Sequence, residues 1–339
     1  GYSGQANTDY GYSYTDWYGA YKGVMQNKFR KADGTFDYGA VEELNANNEN
    51  GSIMVMTKAK NYHNWYGLVS TYNTKLTKDI AFSGGVAFRF YKGTHTNDIV
   101  DLYGGKYFID STRKSVKPEN NANAANQSWV YQKLGVGDAV YRDYDGHVVQ
   151  EGAFFQAEYS KNGLSSFLSG SLSNTSYWRY DRLYYDKKNA ESETKNYLGF
   201  TVKGGANYNF NEHHNAFFNV GYISRAPKFN YGAFLSFASS NVTNPDAKNE
   251  KVVSFELGYG YRLKWLQVDV NAYWTKWLDK TMAKSSTVGT AQVDAFVNMT
   301  GVNALHKGIE IEAKASPLYW LDVNAMFSIG DWKWDSNAK

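Results

Sequence analysis

From Leu198 to Phe210 the chain alternates residue by residue. Leu198, Phe200, Val202, Gly204, Ala206, Tyr208 and Phe210 form an apolar, aromatic or small series. Gly199, Thr201, Lys203, Gly205, Asn207 and Asn209, which lie between them, form a polar or small one. Successive side chains of an extended strand point to opposite faces, so this period gives one greasy and one wet face. The run predicts a strand of about 13 residues, against a usual mode of about 5–6. A strand of that length needs a partner on each edge and an apolar environment on one face only.

The pattern recurs at 79–91, 151–161, 215–225, 251–263, 265–280, 304–316 and 320–332, and less cleanly at 62–76 and 164–178. With 195–210, that makes about ten long strands. Tight turns separate some of them, at Thr77–Lys78, Lys161–Gly163, Asn211–His214, Leu263–Lys264 and Pro317–Tyr319. Asn162-Gly163 is a favoured hairpin dipeptide. Long loops separate the others, near 92–150, 179–194, 226–250 and 281–303. Short turns at one end and long loops at the other suit an up-and-down meander whose two ends face different surroundings. Residues 1–60 carry Tyr10, Tyr12, Tyr14, Trp17, Tyr18 and Tyr21 without sustained alternation. They read as a large extracellular loop or an incomplete strand pair, with a short helix near Gly39–Asn47.

Composition narrows the surroundings. The 339 residues contain no cysteine, which removes disulfide scaffolds and Cys-built metal sites. A net charge of +3 gives no electrostatic case for nucleic acid. No run approaches the roughly 18 apolar residues of a membrane helix. Mean hydropathy is only −0.58, yet 17% of residues are aromatic, with 29 Tyr and 10 Trp. Alternation reconciles the two, because half of each strand faces water.

A soluble sandwich also alternates. Strand length favours a membrane, since a tilted strand crosses the hydrocarbon in about 9–11 residues. So do aromatic residues near strand ends: Trp65, Tyr66, Phe90, Tyr91, Tyr177, Trp178, Trp265, Trp274, Trp277, Tyr319, Trp320, Trp332 and Trp334. Such girdles sit where one edge of the ring is apolar and the other hydrogen-bonds. The fold class is therefore all-β, a transmembrane antiparallel up-and-down β-barrel in contact with the lipid bilayer. Lys203, Glu256, Arg262, Asp269, Glu310, Glu312 and Lys314 would face a wet lumen.

Particular segments carry a resemblance. Asn219-Val-Gly-Tyr-Ile-Ser-Arg225-Ala-Pro227-Lys-Phe229 resembles a strand-into-loop segment of TonB-dependent outer-membrane receptors. Asn244-Pro245-Asp-Ala-Lys-Asn-Glu250-Lys251, with Ser254–Tyr259 after it, is similar to that family's next segment, with Asn249 standing where the family usually has Pro. Gly301–Glu312, Asn64–Gly67, Tyr141–Gly146 and Gly330–Trp334 extend the likeness from about 61 to 334. The resemblance implies a 22-stranded barrel closed by an N-terminal plug, on which the TonB complex pulls through a short box. Neither plug nor box is found in this chain, nor is the terminal aromatic strand, so it reads as an internal piece of such a barrel.

The resemblance further implies nutrient uptake across the Gram-negative outer membrane, with capture by extracellular loops and lumen and energy supplied through TonB. Siderophore, cobalamin, glycan and peptide importers share this architecture. A neighbouring surface lipoprotein would point to glycans or peptides. The alternatives are an outer-membrane barrel enzyme or passive porin, and a soluble β-rich adhesin or glycan-binding protein.

Few residues suggest chemistry. There is no G-x-S-x-G, H-E-x-x-H or phosphate loop, so no enzyme activity and no cofactor are expected. Lumenal Glu256, Glu310 and Glu312 read as ordinary pore-lining charges. Asp143-Tyr-Asp145-Gly146 lacks the ligand series of a calcium loop. His213 and His214, adjacent on the chain, point apart, and His63, His95, His147 and His306 are scattered, so no metal site is expected. Pro227 reads as a strand terminator, and Asn244-Pro245-Asp246 as a turn in which side chains bond their own backbone. For substrate the best candidates are loop aromatics, Tyr103, Tyr107, Trp129, Tyr141 and Tyr144, because Tyr and Trp give large contact area with a polar edge. Packing the loop onto its neighbours is the competing role for the same rings.

Overall fold

The computed structural model describes residues 6–8, 10–235, 241–288 and 293–336. Residues 236–240 and 289–292, within two of the expected loops, lie outside the described residues. Among the described residues there is a single twelve-stranded sheet in which every strand pairs with its neighbour in sequence and every pairing is antiparallel. Its strands are β1 (Ala6–Thr8), β2 (Gly11–Gly19), β3 (Met54–Lys75), β4 (Ile80–Asp101), β5 (Ala139–Lys161), β6 (Leu164–Asp181), β7 (Lys195–Asn209), β8 (His214–Arg225), β9 (Glu250–Arg262), β10 (Leu266–Val288), β11 (Val293–Leu318) and β12 (Leu321–Trp334).

Twelve strands replace the ten read from alternation, because β1 and β2 lie within residues 1–60 and β2 pairs with β3. In β2, Trp17 packs under a loop that carries the helix Tyr38–Ala46 while Tyr18, on the opposite face, packs against Phe108 at 5.8 Å, so the period fades. Trp17, Met25, Phe29, Val41 and Met54 bury together there. Asn45, 1% exposed, fastens this loop. Its amide donates to the carbonyls of Met54 and Tyr103, and its oxygen accepts from the Ile53 N–H.

The loops near 92–150 and 281–303 are also corrected. β4 runs on to Asp101 and β5 starts at Ala139, leaving 102–138 as the connection. β10 and β11 stay paired up to Val288 and Val293. β4 and β5 overshoot the apolar band, and there polar residues such as Thr94, His95, Asp143 and Tyr144 fall on both faces, which erases the alternation by which a strand is recognised.

Pairing fixes the two faces. Phe200 pairs with Leu172 and Ser224, Val202 with Tyr222, and Val220 with Phe255, so the apolar series share one face. The polar series share the other, with Ser169, Lys203 and Gly221 in line, then Asn219, Glu256, Tyr273 and Gly308. On the apolar face Phe200 and Tyr222 stack at 5.3 Å, and Leu198, Phe218 and Leu257 are exposed, as a lipid-facing surface requires. Polar-face cavities of about 580 and 640 Å³ are lined by residues such as Gln156, Asn207, Asn219, Glu256 and Glu310. That face is the lumenal wall.

The expected girdle divides by this register. Tyr66, Phe90, Trp178 and Trp274 lie on the lipid face, whereas Trp65, Tyr91, Tyr177, Trp277, Trp332 and Trp334 lie on the lumenal face. Trp265, Tyr319 and Trp320 sit at the short turns. Proximity to a strand end does not fix which face a ring takes; register parity does. Across four strands Tyr66, Phe90, His147 and Trp178 form a continuous belt, with ring centroids 6.3, 6.3 and 4.8 Å apart. Along β5, Tyr159 marks the opposite end of the lipid face. At about 3.3 Å per residue and a tilt of about 35–45°, the span from 147 to 159 covers about 28–32 Å along the membrane normal, enough to cross the hydrocarbon.

Candidate functional site

Beyond the belt the wall continues to the end of the sheet where the long connections lie, the mouth. On its outer surface Asp145, 5% exposed, accepts from Arg182 (2.8 Å) and Thr94 (2.7 Å) and pairs with Lys92 (2.9 Å). Arg182 also reaches Asp143 at 2.7 Å. Burial raises the Asp145 pKa, but the bonds from Arg182, Thr94 and Lys92 outweigh it and hold the carboxyl down to about 2. A guanidinium thus fills the space between these two aspartates that a calcium ion would need.

On the lumenal surface at the same height, His95, Tyr144 and Arg179 lie side by side on β4, β5 and β6. His95 stacks on Tyr144 at 4.9 Å, and the fully buried Arg179 guanidinium lies 3.9 Å from the Tyr144 ring centroid. Asp181, also fully buried, accepts from the N–H groups of Leu183 and Tyr184. His95 Nδ1 donates to Asn61 Oδ1 at 2.8 Å, because an amide oxygen can only accept. Burial, helped by Arg142 and Arg179, pushes the His95 pKa down to about 4, so the ring is neutral and its Nε2 is an acceptor.

Two loops fold onto this wall. The 182–194 loop binds back through Ser192 N–H to the Arg179 carbonyl (2.8 Å). The 226–249 loop enters through Pro227, whose carbonyl accepts from Tyr177 Oη at 3.1 Å. Phe229 then packs on Tyr177 at 5.4 Å and on Phe234 at 4.8 Å, and Phe234 is fully buried. The strand ends at Arg225, two residues before Pro227, as a missing donor requires. Asn244 makes the expected turn, its Oδ1 accepting from Asp246 N–H at 3.0 Å, and Pro245 lies inside that turn. Arg225 and Glu250 pair across β8 and β9.

The five candidate aromatics do not converge. Tyr141 and Tyr144 belong to strand β5, not to a loop. Tyr103 packs on Trp17 at 4.6 Å, Tyr107 donates to the Glu49 carbonyl under Lys133, and Trp129 lies under Arg113. Tyr141 donates its N–H to Asp110, and its carbonyl accepts from Tyr184 Oη. Tyr144 lines a cavity of the mouth, together with Tyr91, His95, Phe229 and Asn230. Arg179, His95 and Phe229 were missed as site residues. A scattered His and a Phe in a loop carry no period of their own, although Phe229 closes the Arg225–Phe229 segment that carried the resemblance.

The fold and its two-faced wall define a transmembrane β-barrel segment of an outer-membrane protein. The family model described as TonB dependent receptor-like, beta-barrel matches residues 1–338, and the chain belongs to that family. Comparison with curated proteins gives no match. Among solved structures it is similar to the copper transporter OprC (14% identity, TM-score 0.58), covering 86% of this chain and 40% of that one. It is similar to the FrpB iron transporter from Neisseria meningitidis (13%, TM-score 0.50; 96% and 40%). It is also similar to the ferripyoverdine receptor of the outer membrane of Pseudomonas aeruginosa (15%, TM-score 0.51; 84% and 35%). The chain spans less than half the length of each of these structures.

Proposed function

We propose that this chain supplies part of the barrel wall and mouth of a receptor that captures a scarce solute outside the cell and imports it with energy delivered by the TonB complex. One observation carries the reading: among the described residues, two loops fold onto the polar wall at the mouth end, while cavities of several hundred Å³ stay open below them along the same wall. A wall of this kind binds at one end and conducts along its length. The plug that TonB would act on belongs to a part of the receptor outside this chain. Of the five sequence candidates, Tyr144 is the one proposed to meet the solute.

Uptake by cells that carry or lack the receptor tests this. The panel is a ferric siderophore, a copper chelate, cobalamin, an oligosaccharide and a peptide, each with and without a protonophore. It includes the metal-bearing solutes because the structural neighbours are named for copper, iron and ferripyoverdine. Receptor-dependent uptake that the protonophore abolishes supports the proposal. Uptake indifferent to it would make the protein a passive pore. If oligosaccharide or peptide is the cargo, a surface lipoprotein partner is expected to co-purify.

A further inference from the structure

Glu151 interrupts the apolar series of β5. The odd-numbered residues of that strand face lipid, and Glu151 stands among them between Val149 and Ala153. It is exposed, and it pairs with Phe88 of β4 and Asn174 of β6 with no shift of register. Four residues separate it from His147 of the mouth-side belt. At about 3.3 Å per residue and a tilt of about 35–45°, that sets it about 9–11 Å deeper along the membrane normal. A carboxylate on two methylenes is too short to return to the belt from there. Among the described residues no other charged side chain lies on the lipid face of β4–β7 between the belt and the short turns. None of them forms a hydrogen bond or ion pair with the Glu151 carboxylate. A polar relay runs beside it: Asn174 Nδ2 donates to Ser176 Oγ at 3.2 Å, and Ser176 Oγ donates to Asn196 Oδ1 at 2.6 Å. The relay leads toward the mouth, away from the carboxylate. Phe88, Leu172, Leu198 and Phe200 surround this patch and are all exposed.

A carboxylate against hydrocarbon is costly, and ionisable groups at such depth pair with a partner or mark a functional path. An ionised carboxylate only accepts, so its partner brings a cation. Depth selects among the sources. The amine of a phospholipid headgroup lies at the interface, about 10 Å too shallow. A second copy of this chain does not supply the cation either. Among the described residues the lipid face holds no lysine or arginine at the depth of Glu151, and Lys92 and Lys307 pair with His147 and Trp274 at its aromatic edge. We propose that this patch is the docking surface for a membrane-embedded segment of another protein that carries a lysine or arginine about 10 Å below the mouth-side interface. Its cation pairs with Glu151, and its apolar face packs on Phe88, Leu172 and Leu198. Without hydrophobic drive between surfaces already in lipid, packing and the ion pair supply the attraction.

The test reconstitutes the full-length receptor in phosphatidylcholine vesicles with a synthetic Leu-Ala transmembrane helix that carries a dansyl group and a lysine about 10 Å below each interface. Energy transfer from the receptor tryptophans to dansyl reads association. Saturable association is expected, about tenfold tighter than for the same helix with leucine at the lysine positions. Glu151→Leu is expected to abolish that preference. It is also expected to raise the urea midpoint of the receptor alone, because it removes a lone charge from lipid. Should Glu151→Leu lose the heat-modifiable electrophoretic shift of a folded barrel, Glu151→Gln, which keeps the shape and removes the charge, carries the test. Equal association of the two helices, or a preference that survives loss of the carboxylate, would overturn the proposal. A lowered urea midpoint would assign Glu151 to the fold and overturn it too. Loss of the preference when phosphatidylethanolamine makes up half the vesicle would make the occupant a lipid amine. A receptor dimer that Glu151→Leu dissolves would make it a second copy. Either of these results also overturns the assignment to another protein.

Discussion

Arg225 and Glu250 face each other across β8 and β9 with Nη2 2.8 Å from Oε2, and their exposures are opposite. The carboxylate side chain is 2% exposed and the guanidinium 54%. Arg225 also lies over the Trp277 ring at 5.5 Å. Both residues come from the segments that carried the family resemblance, and neither segment by itself implies that they meet.

The asymmetry makes a prediction. Arg225→Ala leaves a buried carboxylate without its partner and is expected to cost about 2–3 kcal/mol, short of a fully buried pair because water reaches the arginine side. Glu250→Gln keeps a hydrogen-bonding acceptor and leaves Arg225 in water and over Trp277, so its cost is expected nearer 1 kcal/mol. Urea unfolding of the two variants in lipid vesicles reads the difference, and a larger loss for Glu250→Gln would contradict it.

Asn249, at the position where the family usually has Pro, ties two strands together. Its Nδ2 donates to the Leu198 carbonyl of β7 at 2.7 Å and to Ser224 Oγ of β8 at 3.0 Å. Asn249→Ala is expected to destabilise by about 1–3 kcal/mol. Amide exchange should rise at the mouth end of β7 and β8 and stay unchanged at their short-turn ends.

Val202 and Lys203 are neighbours in the middle of β7 on opposite faces. Val202→Arg places a charge against lipid and is expected to cost about 2–4 kcal/mol. Thr201→Arg, one residue earlier on the lumenal face, should cost little. Folding yields into bilayers compared for the two variants check the assignment of faces; equal losses would refute it.

The Asp145 cluster sets an acid limit on the mouth. Its carboxyl is held at about 2, below the ordinary value of 3.8. A depressed pKa in the folded state gives stability that is complete above about 4 and disappears as pH falls to about 2. Amide protection at the β5–β6 mouth end should fall through that window. Asp145→Asn should lower it at neutral pH and remove this acid step.

Much of the lipid-exposed wall was legible because bilayer and lumen impose opposite demands on successive residues. Leu198–Phe210 could be read as a strand, and its faces assigned, without any partner being known. Trp277 and Trp332 could not be placed this way. Each stands near a strand end and suits a girdle, but the registers of β10 and β12 turn both to the lumen, where Trp332 donates to Tyr273 Oη. Tyr141 and Tyr144 were read as loop residues because β5 leaves the apolar band before reaching them, and with it the alternation.

The sequence by itself determined that this is a membrane-spanning meander of the TonB-dependent receptor type, with short turns at one end and long connections at the other. Period, strand length and ordered motifs are properties of residues close together along the chain. Only the tertiary structure decided which polar groups meet at the mouth. His95, Tyr144 and Arg179 come from three strands, and Phe229 from a loop that folds back 50 residues after Tyr177 to accept its hydroxyl bond through Pro227. Contacts of that separation depend on register and loop closure, which no local pattern encodes.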